Sequence, residues 1–254
     1  MGAGGRALTT CLSWIFIAAS VTAAHSEQPF VALVIDGAQV RWTDRATGDH
    51  LELRYAIAHR DTKIADAVNC GALSAPARLI ERSAIDQISF QRAAREAFSR
   101  WERVANITFV EVHDQSDADI VIGEQAEPTG RAYTNLTLSR ESVAGFRQIN
   151  AAAICLNPES RWKIGFDGDL TTYDISRTLT HEIGHALGLD HPGARGHVMS
   201  FRYGEAEKDL TEGDVQGARH IYGPKELTSL TSRAGDHRRK NASEALPFRQ
   251  SGSF

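Results

Sequence analysis

An α+β fold with one small sheet is what this sequence predicts, and three observations carry the prediction. "LELRYAIA" (51–58) alternates strictly, with Leu51, Leu53, Tyr55 and Ile57 on one face, the period of a half-buried strand. "SFQRAAREAFSRWERV" (89–104) instead sets Phe90, Ala94, Ala97, Phe98 and Trp101 on one helical stripe, with Arg92, Arg95, Glu96 and Arg103 largely off it. A block of short apolar runs follows, and two more helical patterns come late. A strand and helix first, then a small sheet, then helices is the order of one α+β domain.

Taken in order, the chain opens on a leader. Arg6 is the lone charge before "LTTCLSWIFIAASVTAA", and Thr22, Ala23 and Ala24 give a small-residue exit, so residues 1–26 read as a signal peptide; a retained membrane anchor is the alternative. No later stretch approaches the roughly 20 apolar residues of a spanning helix. The mature protein is therefore expected to be soluble, monomeric and exported: secreted, or periplasmic if bacterial. Residues 27–50 form an N-terminal segment, "FVALVI" and then the turn-rich "TDRATGDH". The domain proper is expected over 51–223.

Ser89 is the expected N-cap of the first helix. Strands are expected at "ITFVEV" (107–112), "ADIVIGE" (118–124), "GRAYTNLTL" (130–138) and "AAAICLN" (151–157). "YDISRTLTHEIGHALG" (173–188) predicts a second helix, with Gly188 suited to a left-handed exit. "LTEGDVQGARHIYG" (210–223) predicts a third, with Thr211 and Asp214 spaced nearly as a capping box. Beyond it, 224–254 is polar and aperiodic, a disordered tail whose Arg238, Arg239 and Lys240 read as a solvated stretch.

The composition, 42% hydrophobic and 24% charged, is ordinary for a globular chain, and a net charge of -4 supplies no basic field for nucleic acid. Cys11 leaves with the leader. Cys70 and Cys155 then remain as an even pair in an oxidising compartment, where a disulfide is the favoured reading and two buried thiols the alternative. "NIT", "NLT" and "NAS" at Asn106, Asn135 and Asn241 are sequons only in a glycosylating host.

"THEIGHALGLDHPG" (180–193) is the most informative stretch. Residues four apart on a helix lie one above the other, so His181 and His185 can offer imidazoles to one ion. Gly188 lets the chain leave sharply, and His191 can return as a third ligand. A tetrahedral zinc held this way keeps its fourth position open for water, and three neutral ligands leave its double charge to acidify that water. Glu182, rotated about 100° from His181, can serve as general base without binding the metal. A histidine-rich solvated helix end would leave the joint spacing of these residues unexplained. His197 and His220 lie outside that spacing and read as structural or solvated.

With Met199 eight residues after His191, the stretch resembles the metzincin pattern H-E-x-x-H-x-x-G-x-x-H followed by a methionine turn, and within that clan the matrixins. "AAREAFSRWERVANITFVEV", "ADIVIG" and "LTEGDVQGARHIYG" resemble the first helix and strand, a later sheet strand and the closing helix of that family. The resemblance, over about residues 50 to 223, implies a zincin-like catalytic domain: a small twisted sheet, an active-site helix carrying the zinc motif, and a C-terminal helix after the methionine turn. It implies an endopeptidase with His181, His185 and His191 as ligands to one catalytic Zn2+ and Glu182 as base and proton shuttle. Met199 would form an apolar floor, Tyr203 would line the specificity pocket, and "GRAYTNL" would pair with an extended substrate.

There are departures from that pattern. Pro192 stands where animal matrixins usually have serine, Phe201 where they have the pocket-wall proline, and Gly213 where they often have the first of two aspartates. The histidine-rich segment for a second zinc is missing, as is the P-R-C-G-x-P-D latency motif; "NCGAL" around Cys70 shares only Cys-Gly with it. Asp167 and Asp169 could contribute to a calcium site but fall far short of six to eight ligands, and an exposed turn is the other reading. The reading is a secreted zinc endopeptidase acting on peptide or protein substrates through a zinc-bound water assisted by Glu182. A catalytically silent, zinc-stabilised peptide-binding protein and a metallohydrolase of non-peptide amides are the rivals.

Overall fold

The computed structural model describes residues 29–225 apart from 44, 45, 48, 49, 66 and 194. The leader (1–26), the tail from 226 onward, the basic run 238–240 and Asn241 lie outside the described residues. The 51–58 alternation appears as the strand His50–Ile57, with Leu51, Leu53 and Tyr55 buried. It pairs in parallel with Ile107–Glu111 on one side and Ile120–Gln125 on the other, and the latter is parallel to Phe146–Leu156. Ala132–Val143 runs antiparallel to Phe146–Leu156 beyond them.

Two of these strands outrun their expected spans. They meet in a hairpin whose two loop residues, Ala144 and Gly145, both take positive φ (51° and 82°). That is the type I′ geometry matching strand twist; an alanine in its first position hid the turn from the sequence. The segment before residue 51 also belongs to the sheet. Ala38–Arg41 lies parallel to Phe146–Leu156, and Val31–Ala32 pairs with Leu189–Asp190. The expected boundary at 51 therefore falls inside the sheet.

Helix α1 covers Ala77–Ser83, a stretch without an expected element. Helix α2, Gln87–Glu102, buries Phe90, Ala94, Ala97, Phe98 and Trp101, the stripe read from the sequence. Its cap is Asp86, not Ser89: the Asp86 carboxylate accepts from the Ser89 amide (2.8 Å) and hydroxyl (2.7 Å). An aspartate four residues before the apolar period begins caps the first turn that the period could not show. Helix α3, Ile175–Ala186, is capped by Asp174, which accepts from the Arg177 amide at 2.6 Å. It is shorter than the expected 173–188 because Tyr173–Asp174 pairs with Trp162–Lys163 at one end and Gly188 ends it at the other.

Helix α4, Glu212–Tyr222, has Thr211 donating through its amide and hydroxyl to Asp214. Gly213 and Gly217 on it form a groove for the N-terminal chain. A Cβ at Gly213 would stand 2.1 Å from the Pro29 carbonyl, and one at Gly217 would stand 3.0 Å from Phe30 Cβ. Cys70 and Cys155 are joined by a disulfide, with Cα atoms 6.5 Å apart, tying the loop before Ala72–Ser74 to the central sheet. Asn106 and Asn135 are buried, so neither sequon presents its amide to a glycan in the folded chain.

Candidate metal centre

The two histidines of α3 face the cleft one turn apart, their rings edge to face at 4.7 Å. Gly188 then turns the chain at φ +92°, a left-handed conformation. A side chain there is also excluded, since its Cβ would stand 2.3 Å from the Val40 carbonyl oxygen. Leu33 N–H donates to Gly188 O (2.8 Å), and pairing of Leu189–Asp190 with Val31–Ala32 fixes the return that brings His191 to the other two.

The three Nε2 atoms converge, with His181 3.1 Å from both His185 and His191, and His185 3.2 Å from His191. Tetrahedral zinc with nitrogen ligands at about 2.0–2.1 Å sets ligand atoms about 3.3–3.4 Å apart, so the donor set fits that ion. The opposite ring nitrogens confirm the fit. His181 Nδ1 donates to Val198 O (2.7 Å) and His185 Nδ1 to Leu189 O (2.8 Å), which leaves both Nε2 lone pairs pointing inward. Burial, aided at His181 and His191 by the neighbouring imidazoles, pushes all three below the ordinary histidine pKa, holding them in the neutral form a metal needs. Among the described residues these three form the one cluster with metal-ligand spacing.

Met199 is buried under α3. Gly184 makes that possible: a Cβ on it would lie 2.2 Å from Met199 Sδ and 3.0 Å from the Trp101 ring. The turn around Met199 is held from two helices. The Val198 and Met199 amides donate to the two Asp214 oxygens (2.9 and 3.0 Å), and Arg177 donates to Val198 O (2.8 Å) and His197 O (2.9 Å). Val198 O thus accepts from Arg177 and His181 together, coupling the turn to a ligand ring. His197 hydrogen-bonds Thr211 (2.7 Å), a structural role, and the exposed His220 ring lies tilted against Phe30 (5.3 Å).

Glu182 is 5% exposed and projects toward the edge strand Ala132–Val143, where Thr134 Oγ1 donates to its Oε2 at 2.7 Å. Burial pushes the carboxyl up to about 7, against the Thr134 hydrogen bond and the Arg131 charge, which draw it down. The cleft they share, about 640 Å³, is lined on one wall by Arg131–Leu136 and at its rim by Phe201, whose ring meets His191 edge-on at 5.3 Å.

Tyr203, the expected pocket residue, does not line this cleft; it borders a separate cavity of about 330 Å³. Its hydroxyl accepts from the Asp174 amide (2.9 Å) and donates to Glu205 (2.7 Å), fixing the start of α3. Asp167 and Asp169, considered for calcium, surround an ammonium instead. Lys163 Nζ contacts the Asp167 carboxylate, Asp169 O (2.9 Å) and Glu205 (2.6 Å), while the Asp169 carboxylate accepts from Thr171 and Thr172. Cys70, being disulfide-bonded, offers no thiolate to a metal. Sequence reasoning missed Thr134, Arg131 and Arg177; Asp214 was legible only as a cap.

Two histidines on a helix and a third on the returning chain, floored by a buried methionine turn and set beside a sheet edge, are the arrangement of the metzincin class. A family model described as Matrixin matches residues 78–223, over half of the chain, and the chain belongs to that family. It is 34% identical over 145 residues to "Metalloendoproteinase 1-MMP" of Arabidopsis thaliana, a stretch covering 54% of this chain and 39% of that one. With "Metalloendoproteinase 4-MMP" of the same plant the figures are 26% over 174 residues, 64% and 48%. With "Interstitial collagenase" of Sus scrofa they are 30% over 142 residues, 53% and 28%. The matched stretch thus spans less than half the length of each of these relatives.

Proposed function

We propose that this chain is an exported zinc-dependent endopeptidase that cleaves extended peptide segments of protein substrates. The observation that carries the reading is the convergence of three Nε2 donors beside a buried carboxylate that lies outside their cluster and is held by Thr134. A zinc ion held by His181, His185 and His191 would supply Lewis-acid polarisation of the scissile carbonyl and acidify a water for attack near neutrality. Glu182 takes the proton from the attacking water and returns it to the leaving amine, work that its place beside the triad but outside the ligand cluster suits it for. Thr134 holds that carboxylate in place from the edge strand, whose free edge pairs with substrate backbone. The leader sequence and the disulfide support export, and among the described residues no helix is long and apolar enough to cross a membrane.

The test is a peptide library incubated with the purified zinc-loaded protein. Internal cleavage, abolished by a chelator and restored by one equivalent of zinc, is expected. Tight binding of peptides without cleavage would favour a zinc-stabilised binding protein. Turnover confined to non-peptide amides would favour a different metallohydrolase.

A further inference from the structure

Arg131 stands at the start of the edge strand, in the wall of the cleft that holds His181, Glu182 and His191. Its backbone is locked on both sides by Asn157, whose side chain donates to Gly130 O (2.6 Å) and whose amide donates to Arg131 O (2.8 Å). Its guanidinium lies over the Tyr173 ring, 4.6 Å from the centroid, and 5.6 Å from that of Tyr203. Those rings are themselves fixed, edge to face at 5.2 Å, with the Tyr203 hydroxyl bonded at both ends.

What the guanidinium lacks is an acceptor. A guanidinium carries five N–H donors in a fixed fork, and among the described residues none of those on Arg131 has a hydrogen-bond or ion-pair partner, although the side chain is only partly exposed. Nearby arginines do have acceptors: Arg177 bonds two turn carbonyls through its terminal nitrogens, and Arg100 bonds Ser176, Thr180 and Glu96. A cation held rigidly on aromatic faces, with its donors unused and its position in a substrate cleft, is built to receive a carboxylate.

The direction of the strand says which substrate residue brings it. Thr134 marks the position of the catalytic carboxylate, and Arg131 lies three residues earlier, about 10 Å back along the strand and within reach of a long side chain. A substrate pairing antiparallel to Ala132–Val143 runs the other way, so residues following the cleaved bond pass Arg131. Resting on the peptidase reading above, we infer that Arg131 is a specificity-determining residue that selects aspartate or glutamate one or two positions after the scissile bond.

The test uses the zinc-loaded full chain and C-terminally amidated peptides that differ only at those two positions (Glu, Gln or Lys), with kcat and KM measured separately for the parent, Arg131→Ala and Arg131→Glu. The parent should prefer Glu over Gln by roughly 10- to 100-fold in kcat/KM, the worth of one charge-assisted pair. That ratio should collapse toward one in Arg131→Ala and invert in favour of Lys in Arg131→Glu, whereas a merely structural role would scale all three peptides alike. A parent indifferent to the charge, or a preference surviving in Arg131→Ala, overturns the inference while leaving the peptidase reading standing. If no peptide is cleaved, the peptidase reading fails instead, and fluorescence-polarisation binding of the same peptides carries the test of Arg131, with the same ordering expected and equal affinities contradicting it.

Discussion

Gly184 is the residue on which the metal site's floor depends. It lies between the two helical ligands, and its missing side chain is the space Met199 occupies, with Trp101 behind. Gly184→Ala should leave helix propensity no worse, since alanine is the better helix former. Overpacking at such contacts nonetheless costs about 1–3 kcal/mol, and here the displaced atom is the methionine under the ligands. The expected outcome is a lower thermal midpoint together with weaker zinc retention in a competition titration; an unchanged or raised midpoint would show that Met199 yields freely. The ligands and Glu182 were legible because chemistry fixes their spacing, with His181, Glu182 and His185 on one helix and His191 just past the Gly188 turn. Thr134 was not, because its role comes from strand placement across a separation of 48 residues, which no local pattern encodes. Tyr203 was read as a pocket residue; its hydroxyl is instead spent on Asp174 and Glu205.

At the scale of elements, the loop between Trp162–Lys163 and α3 shows an intramolecular cation where a bound one was considered. The Lys163 ammonium joins Asp167, the Asp169 carbonyl and Glu205, and these contacts draw both carboxyls below their ordinary pKa. Thermal unfolding of the zinc-loaded protein should therefore be insensitive to millimolar calcium. Lys163→Ala should lower the midpoint, and calcium should recover part of the loss by facing the exposed carboxylates. Equal stabilisation of the parent by calcium would contradict this. Elements with one buried face were readable: the 51–57 alternation and the α2 stripe arise from burial alone. The Ala144–Gly145 hairpin, the Asp86 cap and the parallel registers were not, because backbone conformation and partner choice leave little trace in hydrophobic period.

Across the whole molecule, two ties bring distant segments to the centre. The N-terminal chain lies in the Gly213–Gly217 groove and hydrogen-bonds the turn that delivers His191, and the disulfide closes a separation of 85 residues. Neither glycine announced the groove in the sequence, where Gly213 read only as a departure from the matrixin pattern and Gly217 lay within the expected helix. Cys70→Ser should cost about 2–5 kcal/mol, read as a lowered denaturation midpoint, and should not raise activity; a variant active where the parent is latent would make Cys70 a metal-masking residue. The claim on which the function rests is that Glu182 does proton transfer and holds no metal. The most direct measurement is the cleavage rate of Glu182→Ala, made beside its zinc content and melting temperature. The expected result is a full equivalent of zinc, a near-parental midpoint and a rate lower by at least about 10²–10⁴-fold, with binding of uncleaved peptide changed far less. Cleavage at the parental rate by zinc-loaded Glu182→Ala would contradict the peptidase mechanism.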